Sequence, residues 1–447
     1  MKRRLPVILL ASLTVLAVVL GLTLRQPSAE GNDYPRLDLP ARGPVLVVLA
    51  HPDDETVGAG GLLAELARAG VPCSFVFLTN GEAFQWSVEQ ENESLLLAPT
   101  AYVAYGVKRQ EEVRQALADL GQEEAPVYYL GYPDRGLKPL FLQHRSPSDP
   151  YRSDLLGGTT SPYPNAYSQP VFAGESVLAD LQRILRITRP ALVITHSSFD
   201  THPDHWATEG FLLESLARLA DEPDFRQPQR LEFLVHRGNW PGQVGKETQA
   251  GLFPPYPLRY MKENWTLFPL STEAQVRKER AIHDYGTQLT VMNDYLFSFL
   301  RANELYLRPF PEGTRSWEEP VRDTLWRTLF GGADFQEVSM NWQESGLRIS
   351  LTTASGSPAD VSLNLDLLLL YPEGSAIYSV RSGDLASCPA GSSLVRDGSR
   401  FLLWIPLDRS PDWAMLGASS RYAATNIDQT ALWRIGLTGS RTPPSPH

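Results

Sequence analysis

The feature that most constrains this chain is a regular alternation of short apolar runs and amphipathic segments between residues 44 and 219. Each apolar run has the length of a strand buried on both faces, and each following segment has helical spacing. Such alternation is typical of right-handed βαβ units, whose parallel strands lie between helices. We therefore predict an α/β fold with a Rossmann-like, mostly parallel sheet and flanking helices. Strands are predicted at 44–50, 73–79, 127–130 and 191–195, and helices at 60–70, 108–120, 175–187 and 204–219.

A different pattern follows the predicted sheet. A helical segment covers 273–300, and beyond residue 315 polar and apolar residues alternate between turns rich in Gly, Ser, Pro and Asp. This alternation predicts a β-rich, sandwich-like C-terminal domain. Its aromatic residues either pack in the core or form a platform that stacks on a sugar ring, and these are Trp404, Trp413, Tyr422 and Trp433. The predicted strands lie at 346–352, 360–370, 401–405 and 431–437.

The N-terminal residues indicate a membrane segment. Basic residues at 2–4 precede an apolar stretch at 5–24, which as a helix would be roughly 30 Å long, the thickness of a bilayer's hydrocarbon core. The positive-inside rule places the remainder outside the cytoplasm. We expect a membrane-anchored protein with an extracytoplasmic body, or a secreted protein if the segment is cleaved. The predicted organisation is a signal anchor or signal peptide at 1–24, a linker at 25–43, an α/β domain at 44–314 and a β-rich domain at 315–447.

Charge and cysteine usage exclude several kinds of partner and site. The formal net charge is −11, from 40 Lys and Arg against 51 Asp and Glu. Recognition of nucleic acid needs a clustered basic surface, so we expect no nucleic acid partner. The two cysteines, Cys73 and Cys388, can build neither a disulfide framework nor a cysteine-based zinc site. Any metal ion must therefore be bound by His and carboxylate side chains.

Two polar clusters directly follow predicted strands. Residues 51–55 (HPDDE) come after the first strand, and residues 196–205 (HSSFDTHPDH) come after the fourth. The carboxyl ends of parallel strands share one edge of a sheet, where α/β proteins bind ligands. So many ionisable groups are costly to bury there unless a divalent cation compensates them. His and carboxylate ligands suit Zn2+, and Fe2+ accepts the same ligands.

Each cluster alone also has a simpler explanation. Asp53 or Asp54 could cap the following helix by accepting from its free backbone N–H groups. Paired histidines such as His202 and His205 also occur on ordinary protein surfaces. The position of both clusters at one sheet edge favours a metal site over either explanation.

The two motifs resemble those of the PIG-L/LmbE-like de-N-acetylases, zinc-dependent enzymes that remove acetyl groups from N-acetylglucosaminyl conjugates and related amides. The resemblance rests on a strand followed by AHPDDE and on the later HPDH, and it covers about residues 44–310. The segment at 132–172 and the C-terminal domain depart from the family pattern. Further matches in the expected order are 80–82 (NGE), Arg109 with Glu112, 130–134 (LGYPD) and 278–288.

The resemblance implies a role for residues of both motifs and for two others. Asp53 would be the general base, and His202 would assist at the oxyanion or the leaving group. The implied zinc ligands are His51, Asp54 and His205, and the implied sugar contacts are Arg109 and Asp134.

Residue spacing is consistent with these roles. His51 and Asp54 are three positions apart and can face one point on a first helical turn, whereas Asp53 is rotated by about 100°. Asp53 is then free to take a proton from water. His202 can donate to an oxyanion, with Asp200 or Asp204 fixing its tautomer. Glu55 is expected to be a first-turn carboxylate of the helix.

The remaining histidines and one long loop receive weaker interpretations. His196 either supports a ligand or packs in the core, and His236 and His283 are expected to be structural. His144 is expected at the surface, within the segment at 132–172, which is interpreted as a lid or a substrate-facing insertion.

We therefore predict a metal-dependent de-N-acetylase that hydrolyses the N-acetyl amide of a GlcNAc-type conjugate, such as a glycan or glycolipid, outside the cytoplasm. One alternative is an amidase that acts on a non-sugar or thiol conjugate with the same site. Another is a glycan-binding protein whose metal site is vestigial. The complete set of His51, Asp53, Asp54 and His205 argues against this last alternative, because a site that no longer catalyses would lose its base first.

Overall fold

The computed structural model describes residues 34–436 with several gaps. Contacts group the described residues from 35 onward into one unit, and the predicted membrane segment at 5–24 lies outside the described residues. Within the described part of the chain, no helix combines the length and apolar character that crossing a bilayer requires. The gaps are 40–42, 93–96, 243, 256–257, 260, 262, 310–315, 319–332, 344, 356–360, 382, 423–424 and 431.

The α/β half is built on a seven-stranded sheet with the strand order β3-β2-β1-β4-β5-β7-β6. Strands β1 to β5 are parallel, and β7 runs antiparallel to both β5 and β6. Every residue of β1 is buried, as expected for a strand between two layers of helices. The predicted fold class is confirmed. The strands are β1 (Val45–Leu49), β2 (Cys73–Thr79), β3 (Val127–Tyr132), β4 (Leu192–His196), β5 (Gln229–Phe233), β6 (Trp265–Pro269) and β7 (Asn303–Leu307).

Eight helices of the described residues flank this sheet. Helices α5 and α6 share a buried cluster with Leu46 and Val48 of β1, whereas α1 and α3 both pack against α7. Helix α1 approaches the sheet closely, because a Cβ atom on Gly58 would lie 2.2 Å from the ring of Phe233. The helices are α1 (Asp54–Arg68), α2 (Gln85–Asn92), α3 (Pro99–Asp119), α4 (Leu137–Leu142), α5 (Gly174–Thr188), α6 (Pro203–Leu219), α7 (Thr272–Asp284) and α8 (Gly286–Phe297).

The prediction of one long helix at 273–300 was wrong. The segment forms two helices, α7 and α8. The helix is interrupted at Tyr285, whose φ of −82° and ψ of 57° are not helical. The hydroxyl of Tyr285 donates to the buried carboxylate of Glu55 in α1. This contact between distant parts of the chain accounts for a break that local periodicity does not reveal.

Of the two interpretations of 132–172, a lid and a substrate-facing insertion, the structure argues against the lid, and the substrate-facing insertion stays a prediction. The segment contains the short helix α4, and its loop packs into the main core through Leu156, Tyr163 and Phe172. Tyr163 and Phe172 are completely buried. A lid that opens would have to withdraw these apolar side chains from the core, so the segment is a fixed part of the folded α/β half.

The C-terminal region consists of two antiparallel sheets, as predicted for a β-rich region. One has the order β13-β14-β10-β9-β8, and the other has the order β12-β11-β15-β16 with β17 also paired to β15. We call the second the α6-facing sheet, because Leu368, Met415 and Leu432 belong to the same buried cluster as side chains of α6. The strands are β8 (Ser316–Glu318), β9 (Phe335–Gln343), β10 (Gly346–Thr353), β11 (Val361–Tyr371), β12 (Gly374–Arg381), β13 (Ser393–Asp397), β14 (Arg400–Pro406), β15 (Trp413–Tyr422), β16 (Thr425–Gln429) and β17 (Trp433–Gly436).

Of the four aromatic residues considered for a sugar platform, the structure describes the side chains of Trp404 and Trp413. Trp413 is 6% exposed, and the guanidinium of Arg434 lies 4.8 Å from its ring centre. Trp404 is half-buried, and the side chains of Tyr422 and Trp433 lie outside the described residues. Packing therefore explains Trp413. The domain boundary between 314 and 315 stays a prediction, because it falls in the gap at 310–315.

A buried ion pair joins three elements of the α/β half. Lys278 Nζ of α7 lies 2.7 Å from Glu304 Oε1 of β7, and both side chains are at most 1% exposed. Lys278 also donates to the carbonyl oxygen of Val57 at 2.9 Å. Glu304 accepts from the backbone N–H groups of Gly61 and Leu62 at 2.7 and 2.8 Å.

We predict that Lys278→Met lowers the free energy of unfolding by about 3–5 kcal/mol, because it leaves the Glu304 carboxylate buried without a cation. Urea unfolding measures the change. The control is Arg277→Met on the same helix, whose partner Glu273 is exposed, and this variant should change stability by about 1 kcal/mol or less. Equal effects of the two substitutions would contradict the prediction.

Candidate active site

The three predicted metal ligands meet at the carboxyl edge of the sheet. His51 follows β1, Asp54 begins α1 and His205 lies in the first turn of α6. His51 Nδ1 is 3.1 Å from His205 Nε2, and oxygens of Asp54 lie 3.4 Å from each of these nitrogens. Ligands about 2.0–2.1 Å from a tetrahedral Zn2+ are separated by about 3.3 Å. The three side chains therefore fit a single metal ion.

The second ring nitrogen of each predicted histidine ligand faces a carboxylate. His51 Nε2 lies 3.2 Å from Asp134 Oδ1 and 3.4 Å from Asp204 Oδ2, and His205 Nδ1 lies 3.0 Å from Asp200 Oδ2. Each carboxylate fixes the proton on the outer nitrogen, which leaves the inner nitrogen free to bind a metal. This arrangement is the usual one around metal-bound histidines.

The electrostatics of the cluster also favour a cation. Burial alone would lower the pKa of His51, but Asp134, Asp204 and Asp54 raise it well above its usual range. Burial would raise the pKa of Asp54, but His205 and His196 hold it well below its usual range. Positive charge is thus stabilised at this point, where a metal ion would supply it. Three overlapping groups of possible ligand atoms lie within 4.8 Å, namely His51/His202/His205, Asp54/His196/His205 and His51/Asp134/Asp204.

Asp53 is held beside this cluster in a strained conformation. Its φ of 99° lies in the left-handed region, which residues other than glycine rarely adopt. Arg109 of α3 donates to Asp53 Oδ2 at 2.9 Å and to the carbonyl oxygen of Gly81 at 2.8 Å. Burial raises the pKa of Asp53 well above its usual range, although Arg109 opposes this effect. Arg109 was expected to contact sugar. In the structure, its guanidinium orients the carboxylate of Asp53.

His202 occupies the N-cap of α6, where its Nδ1 accepts from the backbone N–H of Asp204 at 3.3 Å. The ring proton therefore lies on Nε2. Burial and the neighbouring His205 and His51 lower the pKa of His202 to about 2, so the imidazole is neutral. We expected a carboxylate of Asp200 or Asp204 to fix this tautomer, but those carboxylates contact His205 and His51.

Asp134 is fixed from two sides. Its Oδ2 accepts from the backbone N–H of Ala83 at 2.8 Å, and its own N–H donates to Glu82 Oε1 at 2.9 Å. Burial and the charge of Asp134 raise the pKa of Glu82 to about 8. Asp134 is therefore positioned to support His51, and the predicted contact with sugar stays a prediction.

Five of the eight histidines of the chain gather at this edge. His196 stacks on His205 with ring centres 3.8 Å apart, and its Nε2 lies 3.2 Å from Asp54. His236, expected to be structural, lies 5.2 Å from His205 and 5.5 Å from His202 between ring centres. No strand was predicted before His236, and its place at this edge follows from β5, which precedes it and pairs with β4.

Several other residues, one of them not predicted, lie at the margin of the site or outside it. Tyr295 was not predicted, yet its hydroxyl lies 3.1 Å from His236 Nδ1. Glu55 is completely buried, and Thr56 donates to it at 2.6 Å. His283 contacts Phe297, and His144 Nδ1 lies 3.2 Å from the carbonyl oxygen of Asp149.

The mostly parallel sheet thus carries at its carboxyl edge a buried cluster of His and Asp side chains that could hold a metal ion. Residues 46–216 match the family model PIG-L, described as GlcNAc-PI de-N-acetylase. The match confirms the predicted resemblance to PIG-L proteins over this part of the chain. It also confirms the predicted enzyme class, a de-N-acetylase that acts on carbon–nitrogen bonds other than peptide bonds.

Curated relatives have related descriptions. The 1D-myo-inositol 2-acetamido-2-deoxy-alpha-D-glucopyranoside deacetylase 2 of Saccharopolyspora erythraea is 27% identical over 264 residues, which are 57% of this chain and 87% of the relative. The 1D-myo-inositol 2-acetamido-2-deoxy-alpha-D-glucopyranoside deacetylase of Tsukamurella paurometabola is 32% identical over 167 residues, 36% of this chain and 51% of the relative.

Among solved structures, the N,N'-diacetylchitobiose deacetylase from Pyrococcus horikoshii is 18% identical with a TM-score of 0.37, over 59% of this chain and 82% of that one. A conserved protein from Thermus thermophilus is 20% identical with a TM-score of 0.37, over 63% of this chain and 97% of that one.

We predict that Asp200→Asn weakens Zn2+ binding about 10- to 100-fold, because His205 loses the carboxylate that fixes its proton. Competition with a chromophoric chelator measures the affinity. Asp154→Asn, at a side chain that is 92% exposed, is the control and should bind Zn2+ as the wild type does. Unchanged affinity in Asp200→Asn would exclude this supporting role.

Proposed function

We propose that the protein is a zinc-dependent hydrolase that removes the acetyl group from the amino sugar of a GlcNAc-type conjugate outside the cytoplasm. The main supporting observation is the convergence of His51, Asp54 and His205 on one point, with Asp53 beside them. The descriptions of the PIG-L model and of the curated relatives support an N-acetylglucosamine substrate. A glycan or glycolipid is the proposed form of the conjugate.

His51, Asp54 and His205 would hold the metal ion, and the donor set suits Zn2+, with Fe2+ as the second candidate. When bound, such an ion supplies the Lewis acidity that activates water and polarises a carbonyl group. The carboxylates of Asp134, Asp204 and Asp200 keep the two imidazoles oriented.

Asp53 is the proposed general base. Its carboxylate takes a proton from the attacking water and returns it to the nitrogen as the carbon–nitrogen bond breaks, which releases acetate and the free amine. Arg109 holds the carboxylate in place at 2.9 Å. Burial raises the pKa of Asp53, so kcat/KM should fall as the pH decreases through this raised value.

His202 is the proposed donor to the developing oxyanion. Because its Nδ1 accepts from the N–H of Asp204, the Nε2–H group remains to donate a hydrogen bond. A neutral imidazole donates this bond without bringing a further positive charge next to the metal.

Release of acetate from N-acetylated amino sugars tests the proposal. The purified protein should release acetate from GlcNAc-type conjugates, lose this activity with a chelator and regain it with Zn2+. Asp53→Asn keeps a residue type that tolerates the left-handed conformation, so it should retain one metal per chain but lose about a hundredfold in kcat. Asp224→Asn, at an exposed position, is the matched control.

Three outcomes would contradict parts of this proposal. Release of acetate only from non-sugar amides or thiol conjugates would favour the alternative amidase. Binding of a glycan without hydrolysis would favour a vestigial site. Undiminished turnover in Asp53→Asn would remove Asp53 as the base.

The extracytoplasmic location rests on the residues at 2–24. The basic residues before the apolar stretch support an orientation with the catalytic domain outside. A protease added to intact cells should therefore degrade the catalytic domain without lysis. Protection until the cells are lysed would contradict this location.

A further inference from the structure

Helix α6 connects the candidate site to the C-terminal region. His202 caps the helix, His205 lies in its first turn, and nearly all its side chains are buried. A displacement of α6 therefore displaces a proposed metal ligand and the proposed oxyanion donor together. The contacts that hold α6 in place come in part from residues more than 200 positions away in the sequence.

The first contact holds the turn that precedes α6. The backbone N–H of Leu432 donates to Ser198 Oγ at 2.7 Å, and both residues are buried. In the same turn the N–H of Asp200 donates to the carbonyl oxygen of Ser197 at 2.8 Å. Since Asp200 supports His205 Nδ1, the C-terminal region holds a turn on which a metal ligand depends.

The second contact lies next to a metal ligand. Trp206 follows His205 directly and is 4% exposed. Its ring is covered by Phe141, with ring centres 5.7 Å apart, and by Lys138 Nζ at 4.4 Å. On β15, a Cβ atom added to Gly417 would lie 3.2 Å from Cζ2 of Trp206 and 3.2 Å from Cδ2 of Leu432. The absence of a side chain at Gly417 thus allows the α6-facing sheet to approach the indole ring.

Further contacts extend along the same helix. Arg434 of β17 donates to the carbonyl oxygen of Leu213 at 3.2 Å. Glu214, which is completely buried, accepts from Arg145 and Arg218 at 2.6 and 2.7 Å.

A side chain of β12 completes this charge network. Ser375 Oγ lies 3.0 Å from Arg145 Nη2. At the end of the helix, Ala217 packs with Leu370 and Trp413. The α6-facing sheet therefore contacts α6 from its first turn to its last.

We infer that the α6-facing sheet is a positioning element of the catalytic site, which acts on His205 and His202 through Trp206 and Ser198. The inference rests on the proposed function for its kinetic consequences, but its effect on metal binding is independent of the substrate. The C-terminal region is thus a part of the active-site structure, and it approaches the metal-binding end of α6 at Gly417, beside Trp206, and at Leu432, beside Ser198.

Gly417→Val tests this inference, because the branched side chain presses on Trp206 and on Leu432, the two side chains nearest to this position. We expect the Zn2+ affinity of Gly417→Val to fall about tenfold relative to the wild type. Both proteins are compared at a urea concentration at which circular dichroism shows that they are fully folded. We expect kcat to fall about ten- to hundredfold, with KM changed less than about twofold, because the site is misaligned while substrate contacts remain. Chelator competition and acetate release are the two measurements.

A second substitution separates positioning from general destabilisation. Trp206→Phe, combined with Gly417→Val, frees space for the valine and should restore Zn2+ affinity to within about threefold of the single Trp206→Phe variant. Ser419→Val is the control. Ser419 lies on the same face of β15 as Gly417, two residues further along, and its substitution should leave Zn2+ affinity unchanged.

Three results would overturn the inference. Gly417→Val could lower only the unfolding midpoint, with Zn2+ affinity and turnover of the folded protein unchanged. The effects of Gly417→Val and Trp206→Phe on Zn2+ affinity could be additive. Ser419→Val could weaken Zn2+ binding as strongly as Gly417→Val does. If the wild type releases no acetate, the proposed function fails, and the Zn2+ affinities alone still decide the inference.

Discussion

The structure depends on the burial of opposite charges around one point at the carboxyl edge of the sheet. Imidazoles and carboxylates are removed from water there, and each is stable only because an oppositely charged or hydrogen-bonding group faces it. His51 faces carboxylates through both ring nitrogens, and Asp200 accepts from the turn before α6 and from the segment after β5. The charges thus determine how the loops after β1, β4 and β5 are arranged.

Much of the α/β half could be predicted because its elements obey local rules. The run at 73–79 coincides with β2 (Cys73–Thr79), since continuous apolar residues in a buried strand leave little choice of boundaries. The meeting of His51, Asp54 and His205 also followed from topology, because parallel neighbouring strands end at the same edge. The break at Tyr285 followed from neither rule, because it depends on a contact with Glu55 in another helix.

The surroundings of the site were less predictable for the same physical reason. His236 was expected to be structural, since nothing in its own segment shows that β5 lies beside β4. The carboxylates of Asp200 and Asp204 are close enough in sequence to bind the ring of His202. Instead they accept hydrogen bonds from backbone N–H groups and contact other histidine rings. Sequence spacing limits which residues can meet, whereas three-dimensional packing decides which of them do.

The hydrogen bond between Leu432 and Ser198 joins residues 234 positions apart. This contact forms only after the intervening chain has closed into a loop, which costs conformational entropy. The turn after β4 therefore reaches its final arrangement only when both halves of the chain have folded. Tight capture of a metal ion would then mark the completion of folding, and a nascent or truncated chain would hold its metal weakly.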